Sequence, residues 1–407
     1  MPNNSKNLFL HADGDSFFVS CEVSQHPEYK GMPVVVGEDR GIAVAMSYEA
    51  KKLGVTRGMP VFQIKKQFPK VIILSHHFDL YNRISNDVYN IFSSYLEQVE
   101  AYSIDECFMI VKPSDIKYAG SPEKLVGAIK NEIKNTVGVT YSFGLGRTKS
   151  LAKTASKLDK PNGMVLLLNE NDEEKALKKT NIEDIWGIGR QTVPRLRDMG
   201  IKTAYDFVHY PDEPIEKYFP LPLYNLKKEL RGESILKIDF EHDQRDQKSI
   251  QSTLTFKPAS NDSKIIFAEL SENVERACER ARELNLVTNS ISFFVKNTAM
   301  LHRVGESHLS EYTNNPSIIL NAIETVFNQL LESDEKIRST GITLQNLLRR
   351  EKIPADLFGL LDKSESKNII EEVGDKIREK FGQNSLKHAS SLKGSGRKRG
   401  NSFPKLH

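Results

Sequence analysis

The sequence predicts a multi-domain protein of the α+β class. A length of 407 residues exceeds what one core of ordinary size can hold, so we expect two to four domains. Strand-like and helix-like segments alternate up to about residue 168, and a second alternating block begins near residue 247. Between the two blocks, the segment 170–236 has a helical pattern throughout.

The composition is that of a soluble globular protein, with 39% hydrophobic and 27% charged residues. No stretch approaches the ~18 apolar residues of a membrane span, and the acidic residues near the N-terminus argue against an export signal. Three widely spaced cysteines, Cys21, Cys107 and Cys278, predict neither a disulfide framework nor a zinc site. We therefore expect a cytoplasmic protein that makes no membrane contact. A net charge of +3 is too small to indicate a nucleic-acid partner by itself.

The first block alternates short β-prone runs with amphipathic segments. The run AYSIDECFMIV at 101–111 is predicted to form two strands with a tight connection at 103–106. The other predicted elements are strands at Leu8–Leu10, Met32–Gly37, Val71–Leu74 and Val139–Gly144, and helices at 43–53, 79–96, 122–136 and 148–158.

The last block follows the polar stretch FEHDQRDQKS and has the same mixed character. A final helix and a flexible basic tail, KGSGRKRGNSFPKLH, are expected after it. The predicted elements are strands at Gln251–Phe256, Ser290–Phe294 and Ser339–Gln345, and helices at 263–284, 316–332 and 367–381.

Two adjacent carboxylates, Asp105 and Glu106, interrupt the apolar run at 101–111 with no Lys or Arg beside them. Buried like charges are costly without a compensating group. Asp13 ends the first predicted strand, so neighbouring strands would bring three carboxylates together. Oxygen ligands of this kind suit Mg²⁺, and two such ions can hold an attacking oxygen and a leaving phosphate. Taken alone, an Asp-Glu pair is more often a solvated turn, and Asp15 is more often a helix N-cap than a ligand.

Four motifs carry a resemblance to a known family: ADGDSFFVSCE, YSIDECF, GLGRTKSLAKTASKLDKPNG and WGIGRQTVPRLRDMGIKT. In this order they resemble the successive motifs of Y-family translesion DNA polymerases of the polymerase IV and polymerase V types. The resemblance covers roughly residues 8–350 and implies a right-hand polymerase. Its parts would be a ferredoxin-like palm (1–16 and 79–168), small fingers (17–78), a helical thumb (169–239) with a helix-hairpin-helix near 183–205, a linker (240–246), an α+β little finger (247–350), a C-terminal extension (351–387) and a disordered basic tail (388–407).

The resemblance also implies an active site and a reaction. Asp13, Asp105 and Glu106 would bind two Mg²⁺ ions, with the backbone carbonyl of Gly14 as a further ligand. Glu106 would lie nearest the primer 3′-hydroxyl and help to activate it. The implied reaction is template-directed, low-fidelity transfer of a nucleotide from a dNTP to the primer during DNA damage bypass.

Five residues would contact the incoming nucleotide by the same resemblance. Phe18 stands where the family places its steric gate, which implies selection against the ribose 2′-hydroxyl. For Phe17 beside it, packing of the ring under a helix start is the better interpretation. Tyr48 and Lys51, one turn apart on a helix, and Lys160 would bind the triphosphate. Lys51 replaces the more usual Arg, so phosphate binding is expected to be looser.

The DNA partner would be a primer–template duplex. Lys149, Lys153 and Lys157 are four residues apart and predict a basic helix face suited to phosphates, with Arg147 just before it. Gly187 and Gly189 would form the helix-hairpin-helix turn that directs backbone N–H groups at a phosphate. Trp186 is assigned to the core. In the little finger, a strand face with Lys257, Lys296 and Arg303 could enter the major groove.

Several questions stay open at the level of sequence. Leu357 and Phe358 in IPADLFGLL resemble a sliding-clamp peptide, but an ordinary hydrophobic anchor fits them as well. The need for accessory subunits is also open, and a monomer is expected. The alternative functions are another two-metal enzyme, such as a nucleotide cyclase, or a non-catalytic or partner-dependent DNA-binding scaffold. The presence of all three carboxylates favours the polymerase.

Overall fold

The computed structural model describes residues 7–38, 41–239, 247–332, 334–353, 362–382 and 385–394, with 362–369 as backbone only. The chain forms two compact units, one ending at residue 244 and the other beginning at residue 245. Leu357 and Phe358 lie outside the described residues. Among the residues described, no helix is long and apolar enough to cross a membrane.

The first unit combines two sheets with helices that cover them. Its strands are β1 (Leu8–Gly14), β2 (Val34–Val36), β3 (Ala45–Met46), β4 (Ile72–Leu74), β5 (Val99–Ala101), β6 (Glu106–Val111), β7 (Tyr141–Gly146) and β8 (Met164–Leu166). Its helices are α1 (Phe17–Gln25), α2 (Tyr48–Lys52), α3 (Val61–Gln67), α4 (Phe78–Tyr95), α5 (Pro113–Ala119), α6 (Pro122–Thr136), α7 (Lys149–Leu158), α8 (Glu170–Lys179), α9 (Thr192–Asp198), α10 (Ala204–His209), α11 (Asp212–Tyr218) and α12 (Leu221–Leu230).

The larger sheet of this unit, called the main sheet, has the order β5-β6-β1-β7-β8. Its central strand β1 pairs antiparallel with β6 and β7. Apolar residues of α1, α4 and α6 pack with alternate strand residues into one large core. Helix α7 lies directly on β7, since a Cβ added at Gly144 would stand 2.1 Å from the Ala152 carbonyl oxygen. Only glycine permits this close approach of helix and strand.

The smaller sheet, β3-β2-β4, corrects one prediction. The helix expected over 43–53 begins only at Tyr48, because Ala45 and Met46 pair with β2 as a strand. Ser47 then caps α2, its side chain accepting a hydrogen bond from the Ala50 N–H at 3.1 Å.

The helices from α8 to α12 form a further core of the first unit. After α12 the chain returns to the main sheet. The buried Glu229 carboxylate accepts the N–H groups of Ile235 and Leu236 at 2.6 and 2.8 Å. The side chain of Ile238 joins a small cluster with Phe9 and Phe108.

The second unit is built around one antiparallel sheet of order β11-β10-β12-β9. Helices α13 and α14 supply apolar residues to a core on one face of this sheet. The opposite face is called the helix-free face, because no helix in the described part of the chain supplies residues to a core there. The elements are β9 (Ile250–Ser260), α13 (Ser263–Glu283), β10 (Leu286–Asn297), β11 (His302–Thr313), α14 (Pro316–Leu330), β12 (Ile337–Gln345), β13 (Leu348–Arg349) and α15 (Asp362–Phe381).

Three expectations for this unit need correction. Strand β11 was not predicted: as an edge strand it has few buried residues, so its sequence lacks a clear apolar alternation. Arg303 lies opposite the buried Val295 and pairs with Glu332, so it does not share the helix-free face with Lys296. The segment Ala389–Ser391, expected in a disordered tail, forms a 3₁₀ turn in which Ser391 is buried.

Candidate active site

Three carboxylates come together at one end of β1 and β6. In the antiparallel register Asp13 stands opposite Glu106. The Gly14 N–H donates to the Asp105 carbonyl at 2.8 Å, and the N–H groups of Tyr102 and Ser103 both donate to the Glu106 carbonyl at 3.0 Å. The prediction that these strands are neighbours is therefore confirmed, and the tight connection places Asp105 beside Asp13.

Burial raises the pKa of two of these carboxylates, Asp105 and Glu106. Burial raises the pKa of Asp105, and the negative charge of Asp13 raises it further. The Ser103 hydroxyl opposes this shift by donating to Asp105 Oδ1 at 2.8 Å. Burial also raises the pKa of Glu106, against the opposing effect of Lys153. The site thus keeps desolvated negative charge that a positive group stabilises.

Lysines distant in the sequence provide part of that positive charge. The Lys160 ammonium pairs with Asp13, and the Lys153 ammonium lies 2.8 Å from Glu106 Oε1. Among the residues that the structure describes, no three acidic, histidine or cysteine side chains converge closely enough to hold a metal as they stand. The donor set nevertheless fits a hard cation, since it offers three like-charged carboxylates and a backbone carbonyl at a partly exposed strand end.

Asp15 has a different role from the predicted helix cap. Its buried carboxylate accepts hydrogen bonds from Ser142 Oγ and from the Asn162 N–H, both at 2.7 Å. Ser16, not Asp15, stands at the N-cap position of α1. Asp15 therefore fastens the turn after α7 to the end of β1. At Gly163 in this turn a Cβ would lie 1.5 Å from the Asp159 carbonyl oxygen, so only glycine fits. The anchored turn carries Lys160 to Asp13.

The predicted triphosphate contacts lie around the same acids. Lys51 Nζ is 4.4 Å from the centroid of the Tyr48 ring, so the two side chains share a face of α2 as expected. Burial, followed by the charges of Asp15 and Asp13, raises the pKa of Tyr48. Burial and the nearby charge of Lys160 lower the pKa of Lys51. The structure thus brings Tyr48, Lys51 and Lys160 together beside the carboxylates.

The two phenylalanines of α1 differ in their surroundings. Phe17 is 3% exposed and its ring contacts Tyr141, which matches the packing interpretation of this residue. Phe18 is only partly buried. Its ring stacks on Tyr81 at 4.4 Å with an interplanar angle of 13°, and Phe78 meets it edge-on. Phe18 is therefore a ring held in one orientation at the start of α1, shortly after the end of β1.

The predicted basic stripe on α7 is wrong for two of its members. Lys149 and Lys153 are each 4% exposed, because α7 lies against the main sheet. Lys149 binds both oxygens of the buried Glu100 at 2.9 and 2.8 Å. These two ammonium groups cannot reach a DNA phosphate. Lys157 is exposed and donates to the Asp184 carbonyl at 3.0 Å. Arg147 donates to both carboxylate oxygens of Glu173.

The predicted hairpin turn is present as a turn. Gly187 and Gly189 are exposed between the 3₁₀ segment Ile182–Asp184 and α9. The N–H groups of Thr192 and Val193 both donate to the Gly189 carbonyl. Contact of this turn with DNA remains a prediction.

The raised pKa of Asp105 gives a test of the site without catalysis. A carboxyl whose pKa is raised by folding stabilises the fold below its unfolded pKa, and this contribution is lost as pH rises through the folded pKa. The Asp105→Asn variant should therefore melt about 2 °C above the wild type at neutral pH in EDTA. The difference should shrink as the pH is lowered through the raised pKa. A lower melting temperature for the variant at every pH would contradict this account.

Comparisons with known proteins bear on the identity of this site. Two profiles of the impB/mucB/samB family match the chain, one at residues 12–157 and the one for its C-terminal domain at 247–357. The DNA polymerase IV of Ureaplasma parvum serovar 3 is 30% identical over 362 residues, which cover 88% of this chain and 99% of that protein. The DNA polymerase IV of Streptococcus pyogenes serotype M1 is 31% identical over 351 residues, covering 85% and 95%.

Solved structures show the same fold. A Y-family DNA polymerase chimera of Dbh and Dpo4 superposes with a TM-score of 0.69 at 22% identity, covering 84% of this chain and 99% of that chain. An insertion ternary complex of Dbh DNA polymerase gives a TM-score of 0.54 at 23% identity, with the same coverage.

The polymerase relatives, which match over nearly their full length at 30% and 31% identity, show that the chain is a Y-family DNA polymerase, and the shared fold agrees with this class. Within that class, the two profiles and the full-length relatives show that the chain belongs to the impB/mucB/samB family of translesion DNA polymerases. The predicted family and the predicted α+β multi-domain class are both confirmed.

Proposed function

We propose that this polymerase extends primer 3′ ends from dNTPs on damaged templates by a two-metal mechanism. The observation that carries the proposal is the meeting of Asp13, Asp105 and Glu106 at one end of β1 and β6. Template-directed nucleotidyl transfer requires charge stabilisation at this kind of position rather than covalent catalysis.

Asp13, Asp105, Glu106 and the Gly14 carbonyl would hold the ions. Two Mg²⁺ ions, when bound, neutralise the triphosphate and acidify the primer hydroxyl. Glu106 is the carboxylate that we assign to the primer side.

The nucleotide would lie between the carboxylates and α2. Lys51 and Lys160 supply two ammonium groups for the phosphates, and the Tyr48 hydroxyl can donate a further hydrogen bond. Phe18, fixed by its stack on Tyr81, would exclude a ribose 2′-hydroxyl. Lys51 provides a point charge where Arg would provide a fork, which favours weak triphosphate binding.

DNA contacts are assigned to groups that the structure leaves accessible. In the first unit these are the Gly187–Gly189 turn, Lys157 and the exposed side of Arg147. In the second unit Lys257 and Lys296 lie on the helix-free face of the sheet.

The sliding clamp and accessory subunits remain open partners, and we propose a cytoplasmic monomer. All three cysteines are buried and free, which agrees with a reducing compartment.

The test is extension of a labelled primer on undamaged and lesion-containing templates with dNTPs and Mg²⁺. We expect stepwise extension past the lesion, no product in EDTA, and recovery when Mg²⁺ is restored. DNA binding measured in the same buffers separates this from a scaffold. Binding without extension under all metal conditions would favour a non-catalytic or partner-dependent protein and overturn the proposal.

A further inference from the structure

Glu106 is held by a buried lysine on α7. Lys153 Nζ lies 2.8 Å from Glu106 Oε1, and the Lys153 side chain is almost fully buried. The fully buried His11 places its Nε2 at 3.7 Å from the same oxygen. Lys153 therefore binds Oε1, and the His11 ring lies beside this oxygen without a hydrogen bond to it.

Three aromatic rings enclose the Lys153 ammonium and form what we call the aromatic box. Nζ lies 4.4 Å from the ring centroid of Tyr102, 5.0 Å from Trp186 and 5.7 Å from Phe108. The rings fix one another: Trp186 Nε1–H donates to the Tyr102 hydroxyl at 3.2 Å, and Tyr102 meets Phe108 edge-on. Electron-rich ring faces stabilise a desolvated cation, so the box holds the ammonium in place.

The parts of this arrangement come from separate elements of the first unit. Tyr102 lies in the β5–β6 connection, Phe108 on β6, and Lys153 on α7. Trp186 precedes the exposed Gly187–Gly189 turn, so the helical segment after the main sheet closes the box. The three rings restrict the Lys153 ammonium to one position, as expected of a residue that orients another side chain.

We infer that Lys153 is the positioning residue for Glu106: held by the aromatic box, it binds Oε1 and fixes the orientation of this carboxylate at the end of β6, opposite Asp13. The inference rests on the proposed two-metal function. Lys153 also makes the site less negative. Its charge therefore weakens divalent-ion binding, while its position raises the rate of nucleotide insertion.

Lys149 offers a matched control on the same helix. It is equally buried, pairs with Glu100, and lies 4.5 Å from the Phe108 centroid. It differs in that its carboxylate partner is Glu100 on β5, not a member of the acidic site. A Lys149→Met variant therefore reports the cost of losing a buried lysine ion pair from α7 without disturbing Glu106.

The experiment compares Lys153→Met, Lys153→Arg and Lys149→Met with the wild type. Mn²⁺ affinity is measured by electron paramagnetic resonance on the protein bound to a dideoxy-terminated primer–template, where no turnover occurs. Single-nucleotide insertion then gives kcat and KM, and thermal melting reports the fold.

Lys153→Met should lower kcat by about 10- to 100-fold with little change in the dNTP KM, because a displaced catalytic group costs rate. The same variant should bind Mn²⁺ about threefold or more tightly, since a positive charge has left the site. Lys153→Arg should keep the wild-type Mn²⁺ affinity. Lys149→Met should match Lys153→Met in melting temperature but keep wild-type kcat and Mn²⁺ affinity.

Two results would overturn the inference. One is a Lys153→Met variant whose kcat and Mn²⁺ affinity equal those of Lys149→Met, which would make Lys153 merely structural. The other is looser Mn²⁺ binding in Lys153→Met, which would show that Lys153 does not oppose the ions. If the wild type itself extends no primer, the polymerase proposal fails. The Mn²⁺ measurement then still tests the Lys153–Glu106 contact, because it does not depend on turnover.

Discussion

Asp105→Asn and Glu106→Gln each lower kcat for nucleotide insertion by about 10³-fold, which corresponds to about 4 kcal/mol of transition-state stabilisation. The reason is that both residues lie beside Asp13 at the same end of β1 and β6, where their carboxylates would hold the metal ions. Affinity for primer–template DNA should stay within about threefold of wild type, because neither carboxylate lies on the assigned DNA contacts. Single-turnover insertion and fluorescence anisotropy measure the two quantities.

Glu100→Gln is the matched control for these variants. Glu100 is a buried carboxylate of the same sheet and is also held by a lysine from α7, but its partner is Lys149. Its loss should reduce stability and leave the insertion rate within a few-fold of wild type. Equal rate losses in Glu100→Gln and Asp105→Asn would mean that damage to the sheet, not loss of a metal ligand, explains the effect.

Phe18→Ala relaxes the choice between dNTP and rNTP by about 100-fold, or about 2.7 kcal/mol. The wild-type ring is fixed by its parallel stack on Tyr81 and its edge contact with Phe78, so it cannot turn away from a 2′-hydroxyl. Such an overlap costs about 1–3 kcal/mol in a packed site. The ratio of kcat/KM values for dCTP and CTP opposite a template guanine measures the change.

Tyr81→Phe serves as the control for the gate. It removes the hydroxyl that donates to Glu22 at 2.5 Å but keeps the ring on which Phe18 stacks. Selectivity should therefore stay near the wild-type value. If Phe18→Ala leaves the ratio unchanged while insertion of dCTP remains normal, the gate must lie elsewhere.

The acidic site could be predicted because its signals are local. Asp13 ends an apolar strand and Asp105 and Glu106 interrupt another, so the sequence shows three charges where a core should be. Antiparallel pairing of those strands then leaves few arrangements for the side chains. The placement of Tyr48 and Lys51 could be predicted in a similar way, since a spacing of three residues places them on one helix face.

The countercharges could not be predicted in the same way. Lys149 and Lys153 have the spacing of a solvated helix face, and only the packing of α7 on the sheet shows that they are buried with Glu100 and Glu106. Their partners are 47 or more residues away, as the pair Glu106 and Lys153 illustrates. The one signal of these countercharges in the sequence was that two acidic residues stand in strands with no basic residue nearby. Asp15 was missed for the same reason, because its hydrogen-bond partners Ser142 and Asn162 come from distant segments.

The absence of a side chain at Gly144 has a consequence for the order in which the first unit opens. A Cβ at Gly144 would lie 2.1 Å from the Ala152 carbonyl oxygen, so the backbones of α7 and β7 are in direct contact. We therefore expect the helix and the strand to separate together and not residue by residue. In native-state hydrogen exchange, the amides of α7 and β7 should exchange only when the whole unit unfolds, whereas the exposed turn at Gly187 and Gly189 exchanges through small local openings. Lys153, which pairs with Glu106 of the acidic site, thus lies on the slowest-exchanging part of the unit, whereas the nearby glycine turn can still adjust.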